Sequence, residues 1–212
     1  MMSDIVVVGA GGMGREAVWV LEEINRVAHK WNILGFVDDN EELHDCVLNG
    51  YKVIGSIEWL KNQRMNVVIA IGDPRTKRRI ADELQDSANT YPNIIRPKAV
   101  ISDVVKMKHG NIVCAGAVVT VNIDIGAYTI ISYNCTVGHD VTIGDYTTVL
   151  PGANISGNVD VSEGVMLGTG SVVIQGVRIG ENTVVGAGSV VINHLPSNCV
   201  AVGSPAKKIK QI

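Results

Sequence analysis

Ile131-Ser132-Tyr133-Asn134-Cys135-Thr136-Val137-Gly138-His139-Asp140-Val141-Thr142-Ile143 holds two steps of the period that decides the fold. Ile131, Val137 and Ile143 stand six apart, and the series runs outward in both directions without a slip. Ile101, Met107, Val113, Val119 and Ile125 precede them; Val149, Ile155, Val161, Leu167, Val173, Ile179, Val185 and Val191 follow. All sixteen positions are aliphatic or Met. A helix of 3.6 residues per turn cannot keep one apolar face at period six, and a simple strand alternates at period two. A fixed hexapeptide period is the signature of a parallel β-helix, in which each turn of chain lies on the one before.

The residue after a marked position is often glycine: Gly126, Gly138, Gly144, Gly168, Gly180 and Gly186. These suit corners that need positive φ or tight room. The residue two before is small or β-branched, as in Ala117, Thr129, Cys135, Thr147, Ala153 and Ser171. That supplies an inward layer narrow enough for a slender coil. After Val191 the pattern stops at Asn193-His194-Leu195-Pro196, and Val200 to Lys210 is expected to cap the last coil.

Upstream lies different material. Asp4-Ile5-Val6-Val7-Val8 reads as a buried parallel strand. Gly9-Ala10-Gly11-Gly12-Met13-Gly14 follows, then a helix from Arg15 to about His29. Gly9, Gly11 and Gly14 have the G-x-G-x-x-G spacing between strand and helix, where backbone N–H groups can meet a phosphate. A second strand, 32–37, ends in Asp38-Asp39, whose carboxylates suit a ribose or a base. Residues 53–56 and 57–63 read as a short strand and helix, 66–72 as a third buried strand, and 73 or 74 to about 84 as a helix. Asn93-Ile94-Ile95 is expected to close this unit and Arg96-Pro97 to break it off. Residues 1–98 are thus a small Rossmann-like α/β domain, enough for one nucleotide but not for the two halves of a dinucleotide fold. Residues 99–212 are the β-helix.

Bulk numbers exclude several functions. The 212 residues carry a net charge of −3 and only 4% aromatics. Neither a nucleic-acid partner nor base-stacking platforms are expected. No apolar run approaches the roughly 20 residues of a membrane span, and no signal peptide is read at the N-terminus, so a cytoplasmic protein is expected. Cys46, Cys114, Cys135 and Cys199 are scattered without a Cys-x-x-Cys, which favours reduced thiols and no metal. No Gly-x-Ser-x-Gly elbow or His-Glu-x-x-His motif supports a hydrolase or a zinc enzyme.

One outward position in the coils carries chemistry. His139 follows the buried Val137 by two residues, and eighteen residues further on stands Gly157. A residue without a side chain stacked over an imidazole leaves space for a flat acyl group, and the Gly157 N–H could reach its oxygen. Imidazole accepts a proton near neutral pH. Asp140 can support it only if the chain bends between them, since neighbours in a straight strand face opposite sides. His109 and His194 flank the regular coils and are expected to be structural or at the surface, and His29 and His44 to lie on the small domain's periphery.

The chain resembles the hexapeptide-repeat acyltransferases, and within them the bacterial sugar O- and N-acetyltransferases that join a small nucleotide-sugar domain to a β-helix. The resemblance rests on the repeats, on Val8-Gly9-Ala10-Gly11-Gly12, on Gly138-His139-Asp140 and on Gly203-Ser204-Pro205-Ala206-Lys207. It implies a left-handed coil of three hexapeptides per turn, an exception to the usual right-handed crossover, and a homotrimer with active sites between subunits. It implies that His139 is the general base and that Asp140 tunes it. Gly11, Gly12, Met13, Asp38, Asp39 and Gly72 would bind a nucleotide-linked amino sugar. Thr148, Thr169 and Ala187 would lie along acetyl-coenzyme A, the co-substrate, with Gly157 near the thioester. Many members carry His where this chain has Met13.

The implied reaction is direct transfer of acetyl to the amine of a nucleotide-linked 4-amino-4,6-dideoxy sugar, with no covalent enzyme intermediate. The alternatives are a sialic acid-type sugar O-acetyltransferase, which would share coil and base, and a non-catalytic nucleotide-binding scaffold. Serine acetyltransferase has a helical N-terminal domain, which the glycine turn argues against.

Overall fold

The computed structural model describes residues 2–212. The N-terminal unit comprises β1 (Ser3–Val8), α1 (Gly12–Ala28), β2 (Trp31–Val37), β3 (Val47–Leu48), β4 (Tyr51–Gly55), α2 (Ile57–Leu60), β5 (Asn66–Ile69) and α3 (Pro74–Glu83). Its sheet has the order β3-β4-β2-β1-β5, with β1 parallel to both β2 and β5. Ile5, Val6, Val7 and Val8 have no exposure, because β1 is covered on both sides and each side chain meets core. The chain leaves β1 toward β2 on one side and returns to β5 on the other. The crevice at the carboxyl ends of β1 and β5 is therefore the topological switch point where α/β sheets bind ligands.

Beyond α3 the chain coils. Two-residue strands recur every six residues from Ile94–Ile95 to Val190–Val191. Through Val172–Val173 each pairs in parallel with the strand eighteen residues on, as Val118 with Thr136 and Thr136 with Asn154. Three sheets result. Face A contains the Val118–Val119 strand, face B the Asp124–Ile125 strand and face C the Ile130–Ile131 strand. The marked residues form the interior: from Val113 to Val191 each is at most 3% exposed. Ile94–Ile95 does not close the α/β unit. It pairs with Ile112–Val113 and is the first strand of face C, since six-residue spacing from Val100 already reaches it.

The glycines after the marked positions have a different cause from the corners. Corner geometry belongs to the residue three beyond each marked position. From Gly110 to Gly188 that residue has positive φ without exception, whether Gly, Asn, Asp or Tyr. Gly138 and Gly144 have ordinary φ and are needed for close approach. A Cβ on Gly138 would stand 2.7 Å from Gly157 N, and one on Gly144 would stand 2.6 Å from Ser162 C. The tail closes the coil's end: Cys199–Val202 extends face C, Lys207–Gln211 pairs antiparallel with it, and Ala206 N donates to Val190 O at 2.7 Å.

The α/β unit covers face C. Ile112 and Ile130 point outward from the coil yet are at most 1% exposed, because they share a core with Val18, Leu21 and Phe36. At the edge between faces B and C, Lys77 of α3 is fully buried. Its Nζ donates to Thr148 Oγ1 at 2.9 Å and to Thr147 O at 3.3 Å, and Thr148 Oγ1 donates to Gly72 O at 2.8 Å. Burial pushes the Lys77 ammonium down to about 7, and the Asp73 carboxylate only partly offsets it. No helix among the described residues is long and apolar enough to cross a membrane.

Candidate active site

The edge between faces A and B carries His139. The left-handed backbone of Asp140, φ 58°, bends the chain directly after the histidine. That bend returns the carboxylate to the ring, and His139 Nδ1 lies 2.7 Å from Asp140 Oδ2. An Nδ1–H donor there leaves Nε2 with its lone pair. Asn122, one coil earlier, donates from Nδ2 to Asp140 Oδ1 at 3.1 Å. The hydrogen bond from His139, then that from Asn122, holds the Asp140 carboxyl below its usual range. Gly157 lies against the imidazole. A Cβ there would come 2.5 Å from both His139 Nε2 and Cε1, so only glycine leaves the ring in this position. The ring is half exposed. The Gly157 stack is as the eighteen-residue arithmetic requires, and the bend at Asp140 meets the condition for its support of the ring. Asn122 was missed, although the same arithmetic, 140 − 18, reaches it.

The glycine turn sits at the switch point. Gly11 caps α1 without a side chain, so the first-turn N–H groups of Gly12, Met13 and Gly14 have no capping partner. Gly14 is required because a Cβ would run into Gly9 O, which brings α1 tight against β1. Nothing stands within 4 Å of a Cβ on Gly11 or Gly12, so that side of the turn is open. Asp38 shapes the turn: Oδ2 accepts from Ala10 N at 2.8 Å and Oδ1 from Asn40 N at 2.9 Å. Asp39 Oδ1 accepts from Ile57 N at 2.9 Å. Both aspartates, with Gly9, Thr76 and Arg79, line a cavity of about 140 Å3. The Met13 side chain is half-buried against the core rather than presented at the turn.

Other expected residues are dispersed. Thr169 and Ala187 are exposed on the edge between faces C and A, one coil apart. Thr148 corrects the coenzyme expectation: it is fully buried under the α/β unit and committed to Gly72 and Lys77. Gly72 likewise spends its carbonyl on Thr148 and does not line the Asp38 cavity. His139 has Asp140 as its only side-chain hydrogen-bond partner among the described residues, and none from the α/β unit. Within one protomer the base, the glycine turn and the Thr169 edge are therefore three separate places. Among the described residues no three His, Cys, Asp or Glu side chains cluster as metal ligands.

The PglD N-terminal domain family matches residues 4–84. No curated protein matches the chain. Among solved structures, a variant of the perosamine N-acetyltransferase from Caulobacter crescentus, in complex with CoA and GDP-perosamine, superposes with a TM-score of 0.90 at 30% identity, over 100% of this chain and 99% of that one. The acetyltransferase domain of PglB from Neisseria gonorrhoeae FA1090, in complex with acetyl coenzyme A, gives 0.90 at 27% identity, over 99% of this chain and 100% of that one. WeeI from Acinetobacter baumannii AYE gives 0.88 at 28% identity, over 99% and 100%. The coil is the left-handed parallel β-helix of these enzymes, and the chain belongs to the hexapeptide-repeat sugar acetyltransferases.

Proposed function

We propose that this chain transfers the acetyl group of acetyl-coenzyme A to the amine of a nucleotide-linked 4-amino-4,6-dideoxy sugar. The observation that carries the reading is the His139–Asp140 pair, 2.7 Å apart on a coil edge with Gly157 stacked against the ring. Nearly the whole chain matches an enzyme solved with CoA and GDP-perosamine, which supports the same substrate class here.

In this reading His139 Nε2 takes a proton from the amine as its nitrogen attacks the thioester carbonyl carbon. The C–N bond forms, the C–S bond breaks, and the coenzyme thiolate leaves. Asp140 fixes the tautomer and stabilises the imidazolium. The Gly157 N–H supports the developing oxyanion. No enzyme nucleophile is needed. Cys114, Cys135 and Cys199 are buried, and burial pushes the Cys114 thiol up to about 12.

The working unit is read as a homotrimer. Face A lies between the His139 edge and the Thr169–Ala187 edge, and its outward Val100 and Val118 are exposed, whereas face B presents Lys106, Asp124 and Arg178. Packing across the apolar face would bring one protomer's His139 edge to its neighbour's Thr169 and Ala187, where the coenzyme would lie. Residues 1–98 would hold the nucleotide sugar and 99–212 the transfer chemistry, with Ile94–Ile95 contributed to the coil. Reduced cysteines suit a cytoplasmic enzyme.

The test is coenzyme A release from acetyl-coenzyme A against UDP- and GDP-linked amino sugars, with free sialic acid as the hydroxyl control. Release with an amino sugar that vanishes in His139→Ala is expected. Release with sialic acid alone would move the chain to the O-acetyl branch.

A further inference from the structure

A second cavity, of about 330 Å3, is lined by Gly12, Arg15, Glu16, Trp19 and Asn49. The glycine turn links it to the Asp38 cavity: Gly9 lines one and Gly12 the other. Its size falls at the lower end of small-molecule sites, which suits one sugar ring.

Its chemistry is equally specific. Trp19 is 42% exposed although it is an indole. It is braced by the Arg96 guanidinium, 3.7 Å from its ring centroid, and by the Tyr133 ring at 6.3 Å. Arg96 is in turn held by Glu23 at 3.4 Å. An indole fixed in this way offers a rigid apolar surface to the C–H face of a sugar. Around it stand uncommitted polar groups. Glu22 and Glu23 of α1 are spent on Tyr51, Arg26 and Arg96. Arg15, Glu16 and Asn49 have no side-chain hydrogen bond or ion pair among the described residues. Burial pushes the Glu16 carboxyl up. Tyr133 also stands on the edge between faces C and A, in the column that reaches Thr169 and Ala187 two and three coils further on. The cavity thus lies beside the near end of that edge, two coils short of Thr169.

We propose that this cavity takes the amino-sugar ring of the nucleotide-linked substrate and that Trp19 is its specificity-determining residue. The proposal rests on the N-acetyltransferase reading above. The nucleoside would occupy the Asp38–Asp39 cavity, the diphosphate the N–H groups of Gly12 to Gly14, and the hexose the Trp19 cavity. A 6-deoxy sugar carries a methyl group where others carry a hydroxymethyl, and that suits the indole.

Titration calorimetry on the full chain tests this with GDP and UDP on one side and their 4-amino-4,6-dideoxyhexose conjugates on the other. The wild type is expected to bind a conjugate about tenfold or more tighter than its bare diphosphate. Trp19→Ala should erase that difference, leave diphosphate binding and the KM for acetyl-coenzyme A unchanged, and raise the KM for the conjugate. Trp19→Phe should restore most of it. An unchanged conjugate KM in Trp19→Ala overturns the proposal. So does an equal loss of diphosphate binding, because the indole would then merely hold α1 in place. A wild type that acetylates no amino-sugar conjugate overturns the underlying reading instead, and this one with it.

Discussion

Lys77 Nζ and Thr148 Oγ1 lie 2.9 Å apart across 71 residues of sequence, and neither side chain has any exposure. This contact joins α3 to the coil, and the same hydroxyl fixes Gly72 just beyond β5. Its energetics are proton-linked. Lys77 titrates near 7 when folded, far below an ordinary lysine, so between about pH 7 and 10.5 the unfolded chain binds the extra proton. Stability therefore rises with pH across that window, by up to roughly 1.4 kcal/mol per unit. It loses this gain as pH falls toward 7. Thermal unfolding from pH 7 to 9 should show the rise, and Lys77→Met should flatten it.

Removal of the base should leave the fold intact. His139→Ala is expected to lower kcat by about 10² to 10⁴ with little change in the KM for acetyl-coenzyme A. Asn122→Ala should act in the same direction more weakly, since it frees one oxygen of Asp140 while the 2.7 Å contact to His139 remains. Steady-state kinetics on both variants reads this order, and an Asn122→Ala loss equal to that of His139→Ala would contradict it.

Two glycines in neighbouring coils should separate activity from stability. A Cβ on Gly157 meets only the tip of the His139 ring, which is half exposed and can swing away. Gly157→Ala should therefore keep its melting temperature and lose about tenfold or more in kcat through a displaced base. A Cβ on Gly144 meets the backbone of Ser162 and Glu163. Gly144→Ala should cost about 1–3 kcal/mol of stability, measured by denaturant unfolding.

The covered face gives a packing prediction. Ile112 is outward in the coil and fully buried beneath the α/β unit. Ile112→Ala should cost about 2–5 kcal/mol, whereas Val118→Ala, at the equivalent outward position on the open face A, should cost far less in a monomer. Urea titration of the two variants compares them directly.

The coil could be read before any coordinates because its period constrains every residue it touches. Each sixth residue is interior, and addition of eighteen finds the vertical neighbour, which is how Gly157 was paired with His139. The corner residues were less legible. Tyr128 and Tyr146 adopt φ of 55° and 60°, which the corner imposes and bulky side chains avoid, and their rings stack at 5.5 Å. Thr148 was misread for a related reason. Periodicity places it outward, but which outward face the α/β unit covers is a matter of packing between separate segments, and no local pattern carries it. Lys77, a charged residue on a short helix, gave no sign that it would be buried.

The left-handed residue that recurs at every sixth position has a consequence for how such a chain can change length. Insertions and deletions in the coil come in quanta. A gain or loss of eighteen residues adds or removes a full storey and leaves every later side chain on its own edge. A change of six turns everything beyond it by a third of a revolution. Placed before residue 139, it would carry the imidazole from the edge beside face A to one beside the α/β unit, with the interior pattern undisturbed. The coil interior tolerates that edit, but the bearing of the histidine and the Lys77–Thr148 contact do not, so length changes ahead of residue 139 preserve both only as whole turns.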